Sequence, residues 1–191
     1  MEVKETARQY GQAERYAYAD YAKWDDGDRY ELIDGVAYLM SAPTVAHQRL
    51  IGRFFRQLAA FLDGKKCEVL IAPLDVCLNA MGDDDGTVVQ PDLLVVCDQS
   101  KLDEKRCNGA PDMIIEIISP SASRQDRIKK LNKYMQAGVR EYWIADPDDK
   151  AVAAHILEDG KYVINAYDET GSIASNVLEG CVISLQSVFA E

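Results

Sequence analysis

The chain has 191 residues, of which 48% are hydrophobic and 28% charged, a balance that excludes collagen-like, low-complexity and wholly disordered proteins. This length predicts one domain with a buried core over residues 21–191, preceded by an arm or helix over residues 1–20. Acids outnumber bases 32 to 21, and the resulting net charge of −11 at pH 7 has the wrong sign for general attraction to nucleic acids or anionic membranes.

The first predicted elements are a β-hairpin and a helix. Two short apolar runs in residues 30–40 flank Asp34-Gly35, a dipeptide that favours a two-residue turn. A helix with one buried stripe should follow, because apolar residues recur at spacings of three and four, at Leu50, Phe54, Leu58 and Phe61. Gly64 is expected to end this helix.

The remaining elements predict a sheet and a second helix. Runs rich in Val, Ile and Leu indicate strands at residues 67–72, 74–78, 87–89, 92–97 and 112–119. The S-x-x-D pattern at Ser123 predicts a helix from about Arg124 to Ala137. A strand at residues 141–146 and a hairpin around Asp159-Gly160 complete the order. This order predicts an α/β (α+β) domain in which helices flank a mixed β-sheet.

The cysteines and the hydropathy indicate a reducing compartment. The five cysteines are odd in number, lie far apart and include no C-x-x-C pair, so we expect reduced and mostly buried thiols at Cys67, Cys77, Cys97, Cys107 and Cys181. Only two histidines are present, which argues against a structural zinc site. No stretch approaches the roughly 18 apolar residues of a membrane span, and the N-terminus has no apolar leader. The expectation is a soluble, cytoplasmic protein without a membrane partner.

The strongest chemical signal is a pair of carboxylates at strands that should be apolar. Asp92 follows Pro91 at the start of one apolar run, and Glu116 interrupts another. A buried carboxylate without a partner costs several kcal/mol, so it must be paired, hydrogen-bonded or bound to a cation. Acids on neighbouring strands could share Mg²⁺. A structural ion pair between Glu116 and a basic residue of a neighbouring helix is an equally good interpretation of the residues alone.

The second predicted helix brings a lysine towards these acids. Asp126, Lys130 and Tyr134 are spaced by four and share one helical face. A lysine beside a metal-bound water can orient it and offset charge in a phosphoryl transition state. The alternative is that Lys130 merely pairs with Asp126, which itself has a position suited to helix capping.

A series of motifs follows one another over roughly residues 20–165. The upstream motifs are Tyr30-Glu31-Leu32, Asp34-Gly35, Ala42-Pro43 to His47, and Pro73-Leu74-Asp75-Val76. The downstream motifs are Pro91-Asp92, Glu116 with Ser119-Pro120-Ser121, the run from Asp126 through Lys130 to Tyr134, Gly138-Val139 and Glu141-Tyr142-Trp143. Taken together, these motifs resemble the Uma2 family (DUF820) of restriction-endonuclease-like proteins in the PD-(D/E)XK nuclease superfamily. The ordered combination is far more specific than any single motif.

The resemblance implies a restriction-endonuclease-like fold and a metal-dependent endonuclease. It implies Mg²⁺ or Mn²⁺ held by Asp92 and Glu116, with the backbone carbonyl of Ile117 and the carboxylate of Glu31 as further ligands. A surface charge before a turn is the alternative role of Glu31. The superfamily lysine usually stands two residues after the second acid, where this chain has Ile118. Lys130 matches the position to which the family moves this lysine, and the poorer candidates are Lys129 and Lys133. Outer contacts of the site are expected from His47, Asp126 and Tyr134.

Binding to DNA would have to use local basic stripes. One stripe lies on the first predicted helix at Arg49, Arg53 and Arg56, and the other crowds the second helix at Arg124, Arg127, Lys129, Lys130 and Lys133. Solvated helix faces are the commoner meaning of such charges. The function predicted first is cleavage of DNA by metal-activated water. The alternatives are an inactive interaction module of the same fold and, less favoured, a phosphohydrolase of small substrates. A homodimer, with an exposed hairpin as its contact, is also expected.

Overall fold

The computed structural model describes residues 15–119 and 124–190, and for residues 124–126 it describes the backbone alone. The predicted cap Ser123 and most of the predicted N-terminal arm lie outside these residues. In chain order the elements are α1 (Tyr18–Tyr21), β1 (Tyr30–Ile33), β2 (Val36–Leu39), α2 (Val45–Leu62), β3 (Glu68–Ile71), β4 (Asp75–Cys77), a 3₁₀ turn (Gly82–Asp84), β5 (Val88–Val89), β6 (Leu93–Val96), a second 3₁₀ turn (Gln99–Lys101), β7 (Arg106–Asn108), β8 (Met113–Ile117), α3 (Arg124–Ala137), β9 (Glu141–Asp146), β10 (Ala151–Glu158), β11 (Lys161–Asp168), β12 (Ser172–Ala174), β13 (Val182–Ser184) and α4 (Leu185–Val188).

The strands form two large sheets and one small one. Six strands run in the order β11-β10-β9-β8-β6-β3, in which β8 and β9 are parallel and the other pairs antiparallel. Five shorter strands run in the order β2-β1-β5-β4-β7. The remaining pair is β12 with β13. The mixed sheet and flanking helices confirm the predicted fold class.

Both predicted hairpins and both long helices are confirmed. The Asp34-Gly35 and Asp159-Gly160 turns have positive φ at all four residues, as a two-residue hairpin turn requires. Helix α2 begins after Thr44, whose side chain accepts a hydrogen bond from the amide of His47. Its buried stripe differs from the predicted one, since Ile51 and Leu62 join it and Phe61 is only half-buried. Helix α1 overlaps the end of the arm or helix predicted over residues 1–20. The other short elements were not predicted, because three or four residues carry too little periodicity: β7, β12, β13 and α4.

The six-stranded sheet has a different apolar layer on each face. Alternate residues of β6 and β8 face α2 and the C-terminal segment, in a cluster that includes Phe54, Leu58 and Trp143. The other face packs against α3 and the five-stranded sheet, in a cluster that includes Tyr134 and Tyr142. This second layer carries the candidate site, because Glu116 lies on the same face as Ile114 and projects towards α3.

The expectation that all five cysteines are reduced is wrong for two of them. Cys67 and Cys97 form a disulfide across 30 residues of sequence. They flank the antiparallel β3–β6 pair, in which Glu68 lies opposite Val96, so the two cysteines face each other directly. Sequence spacing could not reveal this register. The three free thiols are buried as expected, and burial raises the pKa of Cys77 to about 12 and that of Cys107 to about 11.

None of the helices in the described ranges combines the length and the apolar character needed to cross a bilayer.

His155 should make stability depend on pH. It lies buried in β10 with Nδ1 3.2 Å from the carbonyl oxygen of Tyr142, and burial lowers its pKa. The unfolded chain therefore takes up a proton more readily than the folded chain, so the free energy of unfolding should fall as pH drops through about 6.5. A single proton limits this slope to about 1.4 kcal/mol per pH unit. Urea unfolding between pH 8 and pH 5 should show a smaller decline in His155→Gln than in wild type, and equal declines would refute the assignment.

Candidate active site

The register between β6 and β8 places the two predicted acids side by side. Leu93 lies opposite Ile115, so the next pair along the ladder is Asp92 and Glu116. Directly opposite residues of an antiparallel pair project from the same face. The two carboxylates therefore extend from one face of the sheet, as the sequence pattern predicted.

Asp92 is anchored by the neighbouring strand and by α2. Its Oδ2 accepts a hydrogen bond from the amide of Ile117 at 2.8 Å and lies 3.2 Å from Nε2 of His47. The hydrogen bond to Asp92 raises the pKa of His47, burial opposes the rise, and the Ile117 carbonyl adds to it. Within the described residues, Oδ1 of Asp92 has no hydrogen-bond partner. Asp92 is thus held in place through one oxygen while the other remains available for a cation.

Glu116 is contacted by two side chains of α3. Its Oε1 accepts hydrogen bonds from Tyr134 Oη at 2.7 Å and from Lys130 Nζ at 3.1 Å. Burial raises the pKa of Glu116, the Lys130 ammonium opposes this rise, and the charges of Asp92 and Glu31 add to it. Glu116 therefore does form an ion pair with a basic residue of a neighbouring helix, as the alternative interpretation proposed. This ion pair exists together with the neighbouring carboxylate of Asp92.

Glu31, on β1 of the opening hairpin, is the third acidic residue of the site. Its Oε1 lies 2.9 Å from Lys130 Nζ and accepts a hydrogen bond from the Gln90 amide at 2.9 Å. Glu31 is buried, so it is not the surface charge that the sequence left as an alternative. The Lys130 ammonium bridges Glu31 and Glu116. Burial works against its charge, but the two carboxylates outweigh burial and raise the pKa of Lys130.

A polar network beside Glu31 was not predicted. The side-chain oxygen of Gln90 accepts from Arg29 Nε at 3.0 Å, and its Nε2 donates to Asp75 at 2.8 Å and to Tyr21 at 2.9 Å. Gln90 directly precedes the Pro91-Asp92 motif, and this adjacency is the sequence feature that could have identified Gln90 as part of the site. The network fixes the backbone amide that holds Glu31, so it positions the site from behind.

The residues of the two predicted basic stripes differ in their exposure and in their partners. Arg49 and Arg56 are exposed, whereas Arg53 donates to the Val188 carbonyl. On α3, Lys133 pairs with Asp34 at 2.7 Å. Lys129 donates to the Tyr38 hydroxyl, and Arg127 is half-buried. Part of the positive charge on α3 therefore attaches this helix to the β1–β2 hairpin. The side chains of Arg124 and Asp126 lie outside the described part of the chain.

The residues suit a hard divalent ion held by few protein ligands. Among the described residues, no cluster of three or more His, Cys, Asp or Glu is arranged for a metal. Mg²⁺ needs fewer, because one or two carboxylates with water and phosphate oxygens can complete its shell. Asp92 and Glu116 would supply these carboxylates, and the backbone of Ile117 lies beside them, since its amide donates to Asp92 Oδ2. The oxygen-only donor set also excludes a thiolate-type zinc site.

Comparisons with known proteins agree with this fold. The Uma2 family model, described as "Putative restriction endonuclease", matches residues 18–186. The uncharacterized protein slr1290 of Synechocystis sp. (strain ATCC 27184 / PCC 6803 / Kazusa) is 25% identical over 152 residues, which cover 78% of each chain. A crystal structure from Anabaena variabilis ATCC 29413, described as "a putative nuclease belonging to DUF820", superposes with a TM-score of 0.72 at 17% identity. That alignment covers 91% of this chain and 97% of the other, and it shows a shared fold.

Proposed function

Since the chain belongs to the Uma2 family, we propose that it is a metal-dependent endonuclease that hydrolyses DNA phosphodiester bonds at Asp92 and Glu116. The observation that carries the proposal is the strand register that brings these carboxylates to one face beside a buried lysine. Mg²⁺ or Mn²⁺ is the proposed cofactor. DNA would approach the exposed side of α2, which carries Arg49 and Arg56.

Each residue of the site has a separate task in this proposal. A bound divalent ion supplies a Lewis acid and makes a water nucleophilic at neutral pH. Asp92 and Glu116 would hold the ion, and Tyr134 orients Glu116 through its 2.7 Å hydrogen bond. Lys130, held by Glu31, directs a fixed positive charge towards a phosphoryl group that gains negative charge. His47 orients Asp92 and adds a second donor beside it.

A second candidate function is an inactive module that binds a protein or a nucleic acid. One observation favours it: the Lys130 ammonium already lies between Glu31 and Glu116 and partly neutralises both. A structural ion-pair cluster needs no metal to be stable. The two functions therefore differ in whether the acids bind a divalent ion at all.

Calorimetric titration with Mn²⁺ separates the two functions. We expect wild type to bind Mn²⁺ with a measurable heat. The affinity of Glu116→Gln for Mn²⁺ should be at least about 10-fold lower, because a neutral amide is a poor ligand for a hard cation. The matched control is Glu104→Gln, since Glu104 is exposed and lies in the loop between the second 3₁₀ turn and β7. Equal Mn²⁺ affinity in wild type and Glu116→Gln, or no binding by wild type, would favour the inactive module.

A further inference from the structure

Strand β11 leaves a long edge of the six-stranded sheet uncovered. It has eight residues, whereas the other terminal strands of the large sheets, β2, β3 and β7, have four, four and three. No strand in the described ranges pairs with its outer side. The exposed fractions of Val163 and Ile164 in the middle of β11 are 44% and 59%. The edge thus offers both unpaired backbone groups and apolar side chains.

This edge lacks the features that keep strands apart. Proteins protect open edges with charged side chains, proline or β-bulges. Residues 162–167 contain neither a charge nor proline. The pairing with β10 continues through all eight positions, so no bulge interrupts the strand. Charges occur only at its two ends, where Lys161 begins the strand and Asp168, followed by Glu169, ends it.

The hairpin geometry identifies the outward-facing amides. Glu158 and Lys161 flank the two-residue turn and exchange its closing hydrogen bond. The amide of Leu157 donates to the Arg140 carbonyl on the opposite side, in agreement with this alternation. Because the pattern alternates along the strand, the amides and carbonyls that point away from β10 belong to Tyr162, Ile164, Ala166 and Asp168.

We propose that β11 pairs antiparallel with β11 of a second copy and joins the two six-stranded sheets across a twofold axis. Outward-facing residues must pair with outward-facing residues, and the longest such register centres on Asn165. It places Ile164 opposite the partner's Ala166 and Val163 opposite the partner's Tyr167. It also places Lys161 opposite the partner's Glu169, so the opposite charges at the two strand ends match only in this antiparallel arrangement.

The charges make this edge complementary to itself. A parallel copy would align Lys161 with Lys161 and Asp168 with Asp168, which like-charge repulsion disfavours. Glu169 already contacts Lys150 at 3.2 Å, so the dimer would form a three-membered charge cluster at each end. This proposal identifies the contact of the expected homodimer and does not rest on nuclease activity.

Sedimentation velocity of the full chain tests the proposal. A single strand pair is smaller than a standard interface, so we expect the mass to rise from 21.3 kDa towards twice that value between about 1 and about 500 µM protein. Ile164→Lys introduces a charge into the centre of the edge and should remain monomeric throughout. Val182→Lys is the matched control, because Val182 is also a strand residue with 59% exposure, and it should dimerise like wild type.

A second variant protects the test against a folding defect. Ala166→Pro removes an outward-facing amide that β10 does not use, so the fold should persist while the dimer is lost. Circular dichroism and thermal melting establish that each variant is folded. A wild type that stays monomeric at every concentration overturns the proposal, and so does wild-type dimerisation by a folded Ile164→Lys or Ala166→Pro variant.

Discussion

Replacement of Asp92 by Asn should reduce the rate of plasmid cleavage with Mg²⁺ or Mn²⁺ by at least about 100-fold. The amide oxygen of Asn can still accept the hydrogen bond that the Ile117 amide donates to Asp92, so the strand pair should remain intact. The negative charge beside Glu116 would be lost, and with it much of the attraction for a divalent ion. The expected defect is therefore one of metal binding and chemistry, not of folding.

Two further variants make this cleavage experiment specific. Tyr134→Phe leaves both carboxylates and removes one hydrogen bond to Glu116, so we expect an intermediate loss of about 10- to 100-fold. Asp84→Asn changes an exposed aspartate and should cleave like wild type. The endonuclease proposal fails if Asp92→Asn and wild type give the same cleavage rate, or if no preparation shows metal-dependent cleavage.

The second large effect is expected on stability, from Lys130→Met. The lysine is largely buried and lies within 3.1 Å of carboxylate oxygens of both Glu31 and Glu116. Its removal leaves two like charges close together without a counter-ion, so we expect the free energy of unfolding in urea to fall by about 3–5 kcal/mol. Lys105→Met, at an exposed lysine, should change it by less than about 0.5 kcal/mol.

A compensating variant and added metal identify the origin of this loss. Glu31→Gln and Glu116→Gln combined with Lys130→Met remove all three charges and should recover most of the stability. Mn²⁺ should stabilise Lys130→Met more than it stabilises wild type, because a divalent ion can replace the missing positive charge. If the triple variant is no more stable than Lys130→Met, lost packing rather than unpaired charge explains the effect.

Local patterns were sufficient to identify the hairpins, the long helices and the central acids. A two-residue hairpin turn needs positive φ at both positions, and a dipeptide such as Asp34-Gly35 adopts positive φ readily. This preference belongs to the two residues themselves. The stripe of α2 follows from the helical period, and Glu116 is conspicuous because it interrupts an apolar strand. The resemblance to a nuclease family depended on the same local motifs. These signals require no knowledge of how distant segments pack.

Contacts between distant segments depended on the order of strands and the packing of helices. Gln90 reaches Glu31 across 59 residues, and the Cys67–Cys97 disulfide spans 30. Lys130 was expected near the acids, but its position between Glu31 and Glu116 requires that α3 cover the junction of the two sheets. The amino-acid pattern thus specified which segments are helices and strands and where charge is out of place. The tertiary structure determined which residues contact each other, because residues far apart in sequence meet only when the strand registers and the packing of the layers are both fixed.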